Sequence, residues 1–399
     1  MHTDLADSDS RAELADFYRS CLLDNCLPFW LRHGLDHHHG GIITSLDRDG
    51  AILDTDKSVW FQGRAAWMFA TLYNTVEPRA EWLAAAQSCI EFLRRHCFSP
   101  AGKMYFVVSC SGQPLRMRRY VFSECFAAMA NAAYARATGE ARAADDAARL
   151  YATYLRYTWT PGVMPPKCEP TRPAKALVGP MMSIAIAQEL RANLGDIRVS
   201  ERKCTEWIDA GIAEIERDFV RPEHEAVLET VALDGSIMDH FDGRLLNPGH
   251  ALEAAWFILH EGQLRADPRL VRLGLSMLDW MWQRGWDSEY GGLFYFRDLR
   301  DKPVQEYWHD MKFWWPHTEA LIATLLAWRI TGADQYAAWH RLVHDWSFRH
   351  FADEEYGEWF GYLHRDGSLS VPLKGNMWKG PFHLPRMLWY CSRALQPPL

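Results

Sequence analysis

Asn247-Pro248-Gly249-His250-Ala251-Leu252-Glu253 stands just ahead of the apolar run Ala254-Ala255-Trp256-Phe257-Ile258-Leu259, and its kind recurs along the chain. Five other short motifs also open apolar helical stretches: Gln62-Gly63-Arg64, Phe122-Ser123-Glu124, Gly179-Pro180-Met181, Pro316-His317-Thr318-Glu319 and Gly380-Pro381-Phe382-His383. Taken at Gly63, Ser123, Pro180, Gly249, Pro316 and Pro381, they are 57 to 69 residues apart. A unit of about 60 residues accommodates two helices and their connections. Six such units predict an all-α (α/α)6 barrel, a toroid of six inner and six outer helices with the motifs gathered at one mouth. Helix N-termini there would turn their unpaired N–H groups toward a polar ligand. An open helical solenoid is the alternative. The whole chain, 1–399, reads as one domain without a linker.

Helical periodicity supports this reading over 79–97, 122–138, 141–159, 180–194, 204–219, 251–260, 268–284, 318–331 and 333–351. Gly139 and Gly332 read as breaks between paired helices. Four glycine-flanked segments rich in aromatic and β-branched residues begin at Gly40, Gly102, Gly291 and Gly357, and read as short β-hairpins at the mouth. Asp49-Gly50 and Asp366-Gly367 supply turn signals for two of them.

Composition narrows the function. Of 399 residues 48% are hydrophobic, enough for a large core, and the net charge of −8 with no basic run longer than a pair argues against nucleic-acid binding. No apolar run reaches membrane-spanning length. Nine cysteines without a Cys-x-x-Cys pair, behind a polar acidic N-terminus, point to a reducing, cytoplasmic setting. Nineteen Trp and 15 Tyr exceed what a core needs; flat rings of this kind stack on sugars, although helix packing accounts for most of them. There is no Gly-x-Gly-x-x-Gly after a strand and no Walker A motif, so nicotinamide and P-loop chemistry are disfavoured.

Two histidines occupy similar helix-opening positions, His250 and His383, which suggests a two-base proton transfer. Glu253, three residues after His250, shares its helix face and is the expected partner. His383 has no carboxylate nearby in sequence; in a toroid the preceding inner helix would offer Glu319. Arg64 is the candidate for a fixed guanidinium that meets a sugar hydroxyl or a developing enolate oxygen. Trp60, Gln62, Arg244, Trp315, Lys379 and Phe382 are candidate substrate contacts. His37-His38-His39 resembles a metal tract but lacks cysteine or carboxylate partners at useful spacing, and reads as a solvated loop; no metal site is expected.

In order along the chain, "DTDKSVWFQGRAAWMFATLY" (54–73), "FSECFAAMA" (122–130), "RLLNPGHALEAAWF" (244–257), "MKFWWPHTEALIA" (311–323), "EYGEWFGYLHRDG" (355–367) and "WKGPFHLPR" (378–386) resemble the N-acylglucosamine 2-epimerase superfamily, which includes the animal renin-binding protein and cellobiose 2-epimerases. The resemblance spans nearly the whole chain. It implies an (α/α)6 barrel and epimerisation at carbon 2 of an aldose, with substrates of the N-acetylglucosamine/N-acetylmannosamine or glucose/mannose type. It also implies that Arg64 matches a sugar-binding arginine, and that His250–Glu253 and His383–Glu319 match two histidine–glutamate pairs. No metal or redox cofactor is implied; ATP is an effector of several members, and members are often homodimers. Pro165–Lys175 and Gly375-Asn376-Met377-Trp378 depart from the animal pattern, which points away from an N-acyl preference and from nucleotide activation, toward a smaller hexose. An aldose–ketose isomerase acting on mannose and fructose is the nearest alternative. A glycoside hydrolase, which needs two carboxyl groups about the scissile bond, and a non-catalytic binding protein are more distant ones.

Overall fold

The computed structural model describes residues 5–118, 120–163 and 171–396. Its helices are α1 Ser8–Ser20, α2 Leu27–His33, α3 Val59–Thr75, α4 Ala80–His96, α5 Phe122–Thr138, α6 Ala141–Trp159 and α7 Val178–Leu194. They continue as α8 Cys204–Glu214, α9 Phe241–Arg244, α10 Pro248–Leu264, α11 Pro268–Gly285, α12 Trp314–Thr331, α13 Asp334–His350 and α14 His383–Ala394.

Helices α3, α5, α7, α10, α12 and α14 pack each on the next, and α14 returns to α3. That last contact closes the ring and rules out the open solenoid. Outside it, α4, α6, α8, α11 and α13 each pack on the inner helix that precedes them. The sixth outer helix is α1, which packs on α14, so the start of the chain completes the last repeat. The periodicity reading has no helix there: α1 is polar on most of its surface and buries only Leu14, Ala15 and Tyr18. Inner helices are apolar nearly all round because neighbours cover every side; α12 is buried from Trp314 to Ala327.

Each inner helix starts within a few residues of its motif, and the motifs explain why. In α10, the Asn247 side chain caps the helix by accepting from His250 N at 3.2 Å, and Pro248 occupies the first turn, where no N–H is needed. Gly249 has no side chain because a Cβ there would come within 2.6 Å of the Trp315 ring.

The hairpin segments are tied to the inner helices by two recurring devices. A first-turn side chain accepts a hairpin N–H: Gln62 Oε1 from Ile42 N at 2.8 Å, Glu124 Oε1 from Met104 N at 2.8 Å, and His317 Nε2 from Leu293 N at 2.9 Å. A buried lysine ahead of the helix pairs with an aspartate just after α2, α11 or α13: Lys57 with Asp36 at 2.7 Å, Lys312 with Asp287 at 2.9 Å, and Lys374 with Asp353 at 2.7 Å. The strands themselves are short; Val107–Val108 with Pro114–Arg116 and Tyr362–Leu363 with Leu369–Val371 are hairpins. His37, His38 and His39 are exposed on the turn whose Asp36 pairs with Lys57. Among the described residues, no helix is long and apolar enough to cross a membrane.

Candidate active site

His383, the first residue of α14, is buried and donates from Nδ1 to Glu319 Oε1 of α12 at 2.8 Å. The other carboxylate oxygen of Glu319 accepts from Trp256 Nε1 at 2.9 Å and from Arg386 Nη2 at 2.6 Å. Arg386 Nη2 also donates to Glu253 Oε1 at 2.7 Å. That nitrogen lies 3.3 Å from His383 Nδ1 as well. Two donors cannot share one hydrogen bond, and the shorter carboxylate contact assigns the proton to Nδ1, leaving the lone pair of the neutral ring on Nε2. Glu253, Glu319 and His383 bring one ligand atom each within 4.8 Å of one another, a spacing that would suit a metal ion. Here the guanidinium of Arg386 supplies the positive charge between the two carboxylates.

The expected pairing of His250 with Glu253 is corrected. Glu253 lies one turn deeper in the barrel, where it meets Arg386. At the helix start the imidazole points toward the mouth, and its Nδ1 lies 3.0 and 3.1 Å from the two carboxylate oxygens of Glu229, with Asn247 Nδ2 at 3.2 Å. Sequence reading missed Glu229 because it sits in the connection Leu228-Glu229 between two short strands, with no motif around it. Trp315 links the two histidines: its ring lies 5.0 Å from that of His250 and 5.7 Å from that of His383, tilted by 37° and 39°.

Arg64, in the second turn of α3, lies over the rings of Phe126 at 4.0 Å and Phe382 at 4.5 Å. Among the described residues it forms no ion pair, and its buried Nε has no hydrogen-bond partner. A guanidinium held by aromatic faces alone keeps its donors available for a ligand. Phe382 contacts Arg64, Arg386 and His383, and so forms part of the wall between them. Trp60 stands further out, against Phe106, Phe126 and the half-exposed Trp378.

Three candidate contacts are corrected to scaffold roles. Gln62 is fully buried and spends its amide on Ile42 and Ser58. Arg244 donates to Asp298 at 2.9 Å and to Asp239 at 2.7 Å, so its charge is neutralised within the protein. Lys379 is fully buried and donates to Glu358 Oε1 at 2.7 Å and to Lys374 O at 2.8 Å. Of the segments that depart from the animal pattern, 165–170 lies outside the described residues. In 375–378, Asn376 Oδ1 accepts from Trp378 N and Lys379 N, which makes it a turn-forming residue.

The electrostatics differ between groups. Burial, then the cations Arg64 and Arg386, push the His383 imidazole well below its usual pKa, so the ring is neutral in neutral solution. Burial lowers Arg64 to about 9, against the attraction of Glu253. Burial also acts against the charge of Arg386, but Glu319 and Glu253 outweigh it and hold that group above its usual range. The cleft therefore presents one neutral imidazole, a second imidazole on a carboxylate, and an arginine that forms no ion pair among the described residues.

The model of the N-acylglucosamine 2-epimerase (GlcNAc 2-epimerase) family matches residues 41–383. The N-acylglucosamine 2-epimerase of Rattus norvegicus is 37% identical over 381 residues, which cover 94% of this chain and 90% of that protein. A cellobiose 2-epimerase of Bacteroides fragilis is 24% identical over 382 residues, covering 92% and 95%. The structure of cellobiose 2-epimerase from Bacillus thermoamylovorans B4167 shares the fold at a TM-score of 0.82, with 19% identity over 96% of this chain and 99% of that one.

Proposed function

Because the chain belongs to the N-acylglucosamine 2-epimerase family, we propose that it inverts carbon 2 of an open-chain aldose by passing protons between two histidines. It is an isomerase-class enzyme, a sugar epimerase. The observation that carries the two-base reading is the placement of His250 and His383 against one tryptophan, Trp315, each with a carboxylate on Nδ1.

The proton on carbon 2 becomes acidic only beside a carbonyl, so the ring must first open to the aldehyde. One imidazole Nε2 then takes the C2 proton. The C–H electron pair becomes the C1–C2 π bond, and the carbonyl π pair moves to O1, giving an enolate: a 2-acetamido enolate where C2 bears the N-acetyl group, a cis-enediolate where it bears a hydroxyl. Arg64, in no ion pair among the described residues, stabilises that oxygen. The second imidazole, protonated, delivers its proton to the opposite face of C2, and the carbonyl reforms. Each base contributes on the order of 10²–10⁴ in rate. In this reading Trp315 and Phe382 contact the sugar, no metal or redox cofactor takes part, and the whole chain is one catalytic unit. The eight free cysteines among the described residues suit a reducing, cytoplasmic setting.

N-acetylglucosamine and N-acetylmannosamine are the proposed pair. The support is the 37% identity to the rat N-acylglucosamine enzyme, against 24% to the Bacteroides cellobiose enzyme. Proton NMR of the purified protein with N-acetylmannosamine, mannose or cellobiose in deuterium oxide tests reaction and substrate together. Deuterium at C2 of the inverted N-acyl sugar is expected. Fructose as the main product from mannose would instead establish an isomerase, and inversion of mannose or cellobiose alone would overturn the N-acyl assignment.

A further inference from the structure

Glu229 is fixed by its backbone before its side chain does anything. Its carbonyl accepts from Leu177 N at 3.0 Å and its N–H donates to Leu245 O at 3.4 Å. Leu177 leads into α7 and Leu245 lies just ahead of α10, so the residue is clamped between the entrances of two neighbouring inner helices. Its carboxylate is mostly buried, with 15% of the side chain exposed, and both oxygens face the same atom, His250 Nδ1. Among the described residues no lysine or arginine pairs with it. Glu319 is different: it divides its charge among His383, Arg386 and Trp256.

We propose that Glu229 is the positioning residue of the second base: it holds the His250 Nδ1–H, turns Nε2 toward the sugar, and stabilises the imidazolium when His250 carries a proton. The proposal rests on the two-histidine reading above. A carboxylate on Nδ1 fixes the tautomer of a histidine and increases its basicity. Arg386 lies beside His383 and offsets the same effect there. The two bases are therefore unequal, and Glu229 serves only one face of the sugar.

The inequality gives a signature that a purely structural contact would lack. When the substrate's C2–H faces His383, that ring takes the proton and the enolate waits for the proton of His250. Without Glu229 less His250 is protonated, the enolate persists, and the proton returns from the His383 side. In deuterium oxide, label then accumulates in that epimer without inversion. The opposite epimer needs His250 as the base, so its deprotonation slows and it gains no such label.

The variants are Glu229→Gln, Glu229→Asp and His250→Asn, assayed with N-acetylglucosamine and N-acetylmannosamine in deuterium oxide, with circular dichroism to confirm folding. For E229Q we expect kcat to fall about tenfold or more, a part of the 10²–10⁴ that a general acid or base supplies. KM should stay within about threefold, and C2 label should rise in one unconverted epimer only. E229D keeps the charge and should recover much of kcat together with the native labelling. It also decides the question should E229Q fold poorly: an Asp variant as impaired as the Gln variant overturns the proposal. Native kcat and labelling in E229Q overturn it too, provided H250N has lost inversion. If H250N inverts both sugars normally, the two-base reading fails on its own account, and this proposal with it.

Discussion

His383 and Glu319 join two inner helices through a 2.8 Å bond between Nδ1 and Oε1, across 64 residues of sequence. Glu319 has no orientational freedom to give up, since Trp256 and Arg386 occupy its other oxygen. Glu319→Gln should therefore keep the shape and lose the charge. An amide nitrogen would also face the donors of Trp256 or the histidine, so one hydrogen bond is replaced by a donor–donor contact. The expected result is a fall in kcat of at least about tenfold with KM nearly unchanged, since general acid–base groups supply about 10²–10⁴. Steady-state kinetics in both directions measures this. A variant with native kcat would detach Glu319 from the reaction.

Among the described residues Arg64 carries a buried charge with no carboxylate in an ion pair with it, an arrangement that costs stability and that packing alone would not retain. Arg64→Met should abolish most turnover, with kcat down about 10²–10³-fold, the loss typical of one oxyanion donor. The same variant should melt at a temperature equal to or higher than the parent, because an apolar side chain suits the rings of Phe126 and Phe382. Loss of activity accompanied by a large drop in melting temperature would mean that Arg64 is chiefly structural.

The ring was legible because its repeat is carried by helix-opening chemistry: prolines, glycines and small caps that recur at a spacing set by two helices. Glu319 was legible for the same reason, since a closed ring puts consecutive inner helices side by side. Glu229 was not. It belongs to a connection of variable length between α8 and α10, and no periodicity reports where such a loop places its side chain. Gln62 and Lys379 were misread as contacts because the residues that anchor a hairpin sit in the same motifs as those that face the cleft. Only the direction of the side chain separates them, Gln62 toward Ile42 and Arg64 toward Phe126. Helix α1 escaped because its partner α14 is at the other end of the chain.

Glu358 shows what holds the turn ahead of His383. It is buried and has a φ of +56°, whereas the matching positions after Asp36 and Asp287 are Gly41 and Gly292. A side chain kept there at about 1–3 kcal/mol of backbone strain needs a compensating contact. Its oxygens accept from Lys379 Nζ, Cys26 Sγ and Trp30 Nε1, at 2.7, 2.8 and 2.8 Å, tying the first and last segments of the ring together. Glu358→Gly relieves the strain but strands the lysine. Removing one partner of a buried pair costs about 3–5 kcal/mol, so a net loss of stability is expected in urea unfolding. The double variant Glu358→Gly with Lys379→Met should recover part of that loss. If the double variant is no better than the single one, the pair is not what makes the position intolerant.

Tyr18, His340 and His344 bind α1 to α13 through a buried network whose protons can be assigned. His340 Nδ1 faces the carbonyl of Leu321 at 3.1 Å, so it carries the hydrogen, and its Nε2 accepts from the Tyr18 hydroxyl at 3.0 Å. His344 Nδ1 must then donate to the Tyr18 oxygen at 2.8 Å. Both rings are neutral in this arrangement, and burial lowers them to about 4 for His340 and about 3 for His344. An unfolded chain binds these protons near pH 6.5, while the folded chain resists them. The contribution to stability is therefore complete above pH 6.5 and declines as the pH falls toward the folded values. One such histidine gives a slope of about 1.4 kcal/mol per pH unit, and two would give up to twice that. Urea unfolding between pH 7.5 and 5 should show at least the single-histidine slope. Replacing both rings, in His340→Leu with His344→Leu and Tyr18→Phe, should reduce the slope by their share whatever the effect on stability at pH 7.5, while the buried His317 and His383 keep theirs. A slope that persists unchanged in that triple variant would place the acid sensitivity in another part of the molecule.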